Sequence, residues 1–321
     1  MHKFKPAFGL TNKHLQTIYS SFFRKNKNLD IEIETFELSD GDFVEAYWLD
    51  KPIQKSSTPI VIIFHGLEGS YDSPYINGIM STLQKEGIAC VLMHFRSCSG
   101  KLNRKATAYH SGQTSDAKEF IYNVNKRFPN NDLYTIGYSL GGNMLLKLLG
   151  ECGENIPLKK AVSVCAPLDL SICADTISQG FSSFYEKKML DNLKETLLLK
   201  YQYHDMENLI SLKKEDVQNI KTIREFDEVY TSKINGFKNA SHYYKLCSSK
   251  QFLKDIKIET LLIHSKDDPF MTPAILPTKE ELSSFVTLEV HEKGGHLGFI
   301  SGSFFKPVYW LENHIISYFK S

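Results

Sequence analysis

Three short apolar runs, PIVIIFHG at 59–66, GIACVLMHF at 87–95 and DLYTIGYS at 132–139, recur with stretches of helical spacing between them, around residues 75–86 and 114–127. Runs this short and this uniformly apolar suit strands covered on both faces, and a parallel neighbour can be reached only through a helix-length crossover. The pattern predicts βαβ units in a parallel sheet. A fourth run, KAVSVCAP (160–167), follows the helix-like NMLLKLLG, and IKIETLLIH (256–264) and SSFVTLEVH (283–291) extend the series. Ahead of it, IEIETFEL (31–38) and DFVEAYWL (42–49) flank Ser39-Asp40-Gly41 with partial period-2 alternation and read as an antiparallel hairpin. A C-terminal helix is expected over SFFKPVYWLENHIISYF, residues 303–319.

From Leu168 to about Asp255 the pattern changes. Stretches such as FSSFYEKKMLDNLKETLLLKYQYH show no strand-like alternation, and the segment is far too long for an ordinary connection. The expected organisation is an α/β core of residues 1–167 and 256–321 with a helical cap inserted at 168–255. The core is a mostly parallel central sheet with an N-terminal antiparallel hairpin and flanking helices.

Composition narrows the function. The chain has 321 residues, 42% hydrophobic and 23% charged, which is ordinary for a globular protein. Its 38 basic and 37 acidic side chains nearly cancel, so the basic footprint of a nucleic-acid binder is missing. A small-molecule partner is expected and no nucleic acid. Cys90, Cys98, Cys152, Cys165, Cys173 and Cys247 show neither CxxC pairing nor a Cys/His cluster, so reduced thiols are expected, with no metal site and no disulfide framework. The N-terminus lacks the continuous apolar stretch of an export signal, and no run approaches ~18 apolar residues. The expectation is a cytoplasmic protein without a membrane span; the oligomeric state is left unassigned.

The chemistry centres on GYSLGG (137–142), set where the strand run LYTI meets the helix run NMLLKLL. That is the context of the GxSxG nucleophile elbow, in which flanking glycines allow a sharp turn that exposes the central serine. Ser139 is the candidate nucleophile. A serine hydroxyl needs a base to take its proton. Of eleven histidines, His296 in HEKGGHLGF stands out, just past a strand and beside Gly294 and Gly295. His65 and His264, at strand ends, read as supports of the site; His2, His204, His242 and His314 read as surface or packed residues. A carboxylate must orient the imidazole, and Asp267 and Asp268 both lie between Ser139 and His296 at a strand's carboxyl end. For the developing oxyanion, the amide of Leu140 follows the nucleophile directly, and HGLEGS (65–70) offers the amide of Leu67. Such a mechanism requires no cofactor.

Together these stretches resemble the YheT-like family of the α/β-hydrolase superfamily, bacterial relatives of the mammalian abhydrolase-domain lipid hydrolases. The resemblance rests on NKHLQTI, HGLEGSYDSPY, RSCSG, YHSGQTSD, GYSLGGN, KDDPF and GGHLGF, in the family's order along almost the whole chain. It implies that Ser139, the aspartate of DDP and His296 form a catalytic triad. The implied activity is hydrolysis of carboxylic esters, with short- to medium-chain acyl esters, acylglycerols and phospholipids as candidate substrates. Some relatives transfer the acyl group to an alcohol, and a ligand-binding protein that has lost turnover is the reading from another class. In the common arrangement of this fold the acid lies three residues after a small residue, and counting from Ser265 gives Asp268, with Asp267 the alternative.

One departure is Ser97 of RSCSG, where the family more often has glycine. Cys98 beside it reads as structural. In the insertion, Phe181, Phe184, Tyr185, Met189 and Leu190 either line an acyl pocket or pack the cap onto the core. Lys187, Lys188 and Lys194 either meet anionic headgroups, allowing transient lipid-surface contact, or form a solvated helix face.

Overall fold

The computed structural model describes residues 3–53 and 57–321; His2 lies outside them. Eight strands form one sheet: β1 (Glu32–Glu37), β2 (Phe43–Leu49), β3 (Ile60–Phe64), β4 (Ala89–Met93), β5 (Leu133–Tyr138), β6 (Lys160–Val164), β7 (Glu259–Ser265) and β8 (Val286–His291). Their order is β1-β2-β4-β3-β5-β6-β7-β8. The β1–β2 hairpin is antiparallel and β2 joins β4 antiparallel; every later pairing is parallel, with Ile62 opposite Val91 on one side and Thr135 on the other. Crossover helices α2 (Pro74–Lys85), α3 (Thr114–Arg127) and α4 (Leu140–Cys152) cover the sheet.

Burial explains the unbroken apolar runs. Ile60, Ile62 and Phe64 of β3 face one way, into a core with Phe120 of α3 and Met144 and Leu145 of α4. Val61 and Ile63 face the other way, against Ile76, Ile79 and Leu83 of α2 and Ile315 of the C-terminal helix. The central strands β3 and β4 therefore need apolar residues at consecutive positions, and the period-2 signal vanishes.

Between β6 and β7 the chain is helical: α5 (Leu170–Ile177), α6 (Ser182–Lys200), α7 (Met206–Ile210), α8 (Ile223–Phe226), α9 (Ser232–Ile234) and α10 (Ala240–Cys247), with a π-turn over Asp227–Thr231. This segment has its own apolar cluster, including Leu190, Leu197, Met206, Ile210 and Phe226. Polar ties fasten it to the sheet domain. Ser182 Oγ donates to the Pro269 carbonyl (2.6 Å), Tyr230 to the Ala106 carbonyl (3.0 Å), and the buried Lys200 Nζ to Asn103 Oδ1 (2.5 Å).

One stretch departs from the sequence expectation, and a second forms a helix that the sequence reading left unassigned. Residues 303–309 are not helical: β9 (Ile300–Ser303) and β10 (Lys306–Tyr309) pair as a separate hairpin, and only Trp310–Lys320 forms the last helix, α11. Gly302, at φ 81°, and Pro307, which has no amide hydrogen for a helix, favour the hairpin. Near the N-terminus NKHLQTI begins an eleven-residue helix, α1 (Lys13–Phe23), started by Asn12, whose side chain accepts the amides of His14 and Leu15.

Candidate active site

Ser139 occupies the turn between β5 and α4 at φ 50°, ψ −118°, a conformation costly for any residue with a Cβ. Close packing holds it there. A Cβ on Gly137 would lie 2.5 Å from the Gly141 carbonyl oxygen, and one on Gly141 would lie 2.6 Å from the Phe64 carbonyl oxygen. Both glycines of GxSxG are thus required by backbone crowding as well as by the turn.

The hydroxyl of Ser139 lies 3.0 Å from His296 Nε2, and His296 Nδ1 lies 2.7 Å from Asp268 Oδ2. Asp268 is 3% exposed, and its second oxygen accepts the Phe270 amide at 2.8 Å. Both its oxygens are therefore committed, one to the ring that faces the serine. The neighbouring Asp267 turns to the histidine loop instead: its Oδ1 accepts the Gly295 amide at 3.0 Å, and its Oδ2 lies 3.8 Å from Lys293 Nζ. Phe270 stacks on the imidazole with ring centroids 4.1 Å apart. KDDPF thus supplies a carboxylate that meets His296, a loop brace and an aromatic wall, the last not anticipated from the sequence.

Leu67 and Leu140 both line the cavity that contains Ser139. The amides flanking Leu67 are occupied, Gly66 N–H by the Tyr75 hydroxyl and Glu68 N–H by the Tyr109 hydroxyl, both at 2.9 Å. The Leu67 amide has no partner among the described residues. Leu140 opens α4, where a first-turn amide has no intrahelical acceptor. His65 braces this loop: its Nε2 accepts the Phe95 amide (3.0 Å), so Nδ1–H donates to the Gly66 carbonyl (2.7 Å). Burial lowers its pKa to about 3 and keeps it neutral. His264 is also buried, its pKa lowered to about 4 by burial, and its Nε2 lacks a hydrogen-bond partner among the described residues. His314 is packed, with Nε2 2.7 Å from Glu289.

The histidine loop rests on α1. Thr17 Oγ1 accepts the backbone amide of His296 at 2.9 Å, and the buried Gln16 bridges the Leu10 and Ile300 carbonyls and the Ile300 amide. The fit is tight: a Cβ on Gly295 would lie 2.7 Å from Thr17 Oγ1. Thr17 and Gln16 lie 279 and 284 positions from His296 and Ile300 and carry no local signature of that role. Thr17→Val is expected to lower kcat about 10- to 100-fold with little change in KM, because a small displacement of the base costs rate rather than affinity. Thr17→Ser, which keeps the acceptor, should restore most of it. Equal losses in both variants would contradict the role.

The other resemblance motifs form scaffolding. Arg96 of RSCSG grips Asp116 of YHSGQTSD through Nε and Nη2 (2.7 and 2.8 Å) and also reaches Asp40 and Asp42. Asn143 of GYSLGGN donates to the Ser111 and Cys247 carbonyls and accepts the Ser249 amide. Ser97 sits at φ 70°, where glycine would be unstrained, and its hydroxyl donates to Asn103 Oδ1 at 2.6 Å. Cys98 is packed beside Glu68 and Tyr109, and burial pushes its thiol pKa well up, which disfavours a nucleophilic thiolate.

The cavity has a volume of about 510 Å³. Phe184, Tyr185, Met189 and Lys188 of α6 line it, whereas Leu190 packs inside the insertion and Phe181 is exposed against His14. Lys194 is buried and Lys187 pairs with Asp191, so neither is a free cation at the mouth. Cys165, Asp268 and His296 bring potential metal-ligand atoms together, but Asp268 and His296 engage each other and burial holds the Cys165 thiol protonated. The donor set fits an acid–base pair better than a metal site.

Asp227 also reaches the cavity, accepting the Tyr244 hydroxyl at 2.7 Å, and burial raises its pKa to about 6. An unfolded aspartate titrates near 3.9, so the folded state holds this proton more tightly. Its contribution is fully present below about pH 4, declines as pH rises through about 6, and is then flat. Asp227→Asn should therefore stabilise the protein by roughly 1–3 kcal/mol at pH 7.5 relative to its effect at pH 4. Urea unfolding at the two pH values checks this; the same difference at both would exclude titration as the cause.

Known proteins show the same architecture. The alpha/beta hydrolase fold family profile matches residues 59–303. The Escherichia coli (strain K12) protein named "Putative esterase YheT" is 40% identical over 313 residues, covering 98% of this chain and 92% of that one. The Saccharomyces cerevisiae medium-chain fatty acid ethyl ester synthase/esterase 2 is 32% identical over 276 residues, covering 77% of this chain and 59% of that one. Among solved structures, an esterase from Exiguobacterium antarcticum superposes with a TM-score of 0.57 at 19% identity, covering 89% of this chain and 99% of that one. Among the described residues no helix is long and apolar enough to cross a membrane. With a family profile spanning most of its length and a full-length relative at this identity, the chain belongs to the α/β-hydrolase family, in its YheT-like branch.

Proposed function

We propose that the protein is a serine hydrolase of carboxylic esters that works through an acyl-enzyme. The observation that carries this reading is the hydrogen-bonded series from Ser139 through His296 to Asp268, set in the wall of a predominantly apolar cavity. Ser139 Oγ attacks the ester carbonyl as His296 Nε2 takes its proton. The carbonyl oxygen becomes an oxyanion facing the amides of Leu67 and Leu140, and collapse expels the alcohol, which receives the proton from His296. Water, deprotonated by the same nitrogen, then releases the acid. Asp268 accepts the hydrogen of Nδ1–H, fixing the tautomer that leaves Nε2 free to accept.

In this reading residues 168–255 are the cap over a core of 1–167 and 256–321, and Phe184, Tyr185 and Met189 contact the acyl chain. A cavity of about 510 Å³ is of small-molecule size and suits short to medium chains. A p-nitrophenyl ester series tests this: kcat/KM should be highest between butyrate and octanoate and fall for palmitate, and a maximum at palmitate would contradict it.

Acyl transfer to an alcohol is the second reading, favoured by the yeast relative whose name carries both synthesis and hydrolysis. It uses the same residues, with an alcohol in place of water. Product analysis with an octanoyl ester and added ethanol separates the two, since release of free acid alone excludes transfer.

A further inference from the structure

Large aromatic side chains crowd one outer surface beside the cavity. Phe8, Phe22, Phe23 and Phe305 are between 60% and 91% exposed, well beyond what scattered surface residues would suggest. They are linked through contacts: Tyr19 meets Phe23 (centroids 5.0 Å apart), Phe23 meets Phe304 (5.3 Å) and Phe304 meets Phe305 (5.2 Å). The Tyr19 hydroxyl donates to the Phe304 carbonyl at 2.5 Å, and Phe8 bridges to Ser303, so the N-terminal segment, α1 and the β9–β10 hairpin form one surface.

Two further features say what this surface meets. It is continuous with the cavity mouth, because Phe22 of α1 and Phe184 of α6 are both exposed and both line the cavity. Its charge is one-sided. Residues 3–27 and 300–309 contain Lys3, Lys5, Lys13, Arg24, Lys25, Lys27 and Lys306 and no aspartate or glutamate, in a chain whose charges nearly cancel as a whole. Arg24 is paired with Glu312, but Lys5, Lys13, Lys25 and Lys306 are exposed around the rings.

We propose that α1 and the β9–β10 hairpin are a docking surface for an anionic lipid surface. The rings enter the boundary between headgroups and acyl chains, the lysines attract the anionic headgroups, and the cavity mouth is held at the interface. That docking delivers substrate rests on the ester-hydrolase reading; docking itself does not.

The test therefore uses Ser139→Ala protein, so that hydrolysis plays no part, in flotation with vesicles of phosphatidylcholine alone or mixed with phosphatidylglycerol. The protein should bind the mixed vesicles, bind the neutral ones more weakly, and lose affinity as salt rises. Combining Phe23→Ser with Phe305→Ser should weaken binding at least about tenfold, and so should Lys5→Glu with Lys306→Glu. With Ser139 intact, both paired variants should keep the parent's turnover of p-nitrophenyl acetate, since none of these residues lines the cavity. Failure of the parent to bind mixed vesicles, or unchanged binding by both paired variants, would overturn the proposal. So would sedimentation showing that the Phe pair dissociates a dimer while vesicle binding is absent, which would make the patch a contact between copies of this chain.

Discussion

Ser139→Ala is expected to lower kcat for p-nitrophenyl butyrate by about a million-fold, close to the loss when the nucleophile of a coupled serine–histidine pair is removed. The reason is chemical. Without Oγ there is no covalent route, and His296 has no hydroxyl within 3.0 Å to deprotonate. What remains is attack by water on an ester polarised by the Leu67 and Leu140 amides, a residual of about a thousandfold over the uncatalysed rate. The substitution should not unfold the chain: alanine keeps the Cβ that the turn at φ 50° already accommodates, and the hydrogen bond that the residue 139 N–H donates to the Val164 carbonyl (2.8 Å) is untouched. A drop of less than about a hundredfold, with the fold intact by circular dichroism, would mean that another group carries the chemistry.

The second large effect separates the paired aspartates. Asp268→Asn should lower kcat about ten-thousandfold, whereas Asp267→Asn should cost less than about tenfold. In Asp268→Asn the amide oxygen would accept the Phe270 amide and the NH2 group would face His296 Nδ1. That nitrogen must then be the acceptor, so the proton moves to Nε2 and the base can no longer take the serine proton. Asp267→Asn keeps an oxygen for the Gly295 amide, and the histidine loop holds its place. Side-by-side kinetics of the two variants decide the matter, and the reverse ranking would assign the acid to Asp267.

The centre of the sheet is readable because its strands announce themselves: Ile60 to Phe64 and Ala89 to Met93 are apolar at every position, as burial on both faces demands. GYSLGG was readable because its glycines answer local crowding. Counting from Ser265 gives Asp268, the carboxylate that meets His296 Nδ1, but the sequence alone does not show that the adjacent carboxylate braces Gly295. Residues 303–309 differ from the expected helix because they run directly into Trp310–Lys320 in sequence, yet form a hairpin in which Phe304 and Tyr309 pack inward and Phe305 projects outward. The contacts from Gln16 and Thr17 to the histidine loop, and the Phe270 ring on His296, depend on tertiary packing that no local pattern encodes.

The central claim is that Ser139 is the group acylated during turnover. A fluorophosphonate probe, which captures an activated serine, tests it directly by peptide mass mapping of the labelled protein. The account predicts a single adduct on the peptide containing Gly137 to Gly142, absent from Ser139→Ala and nearly absent from Asp268→Asn. An adduct on any other residue, or undiminished labelling of Ser139→Ala, would contradict it.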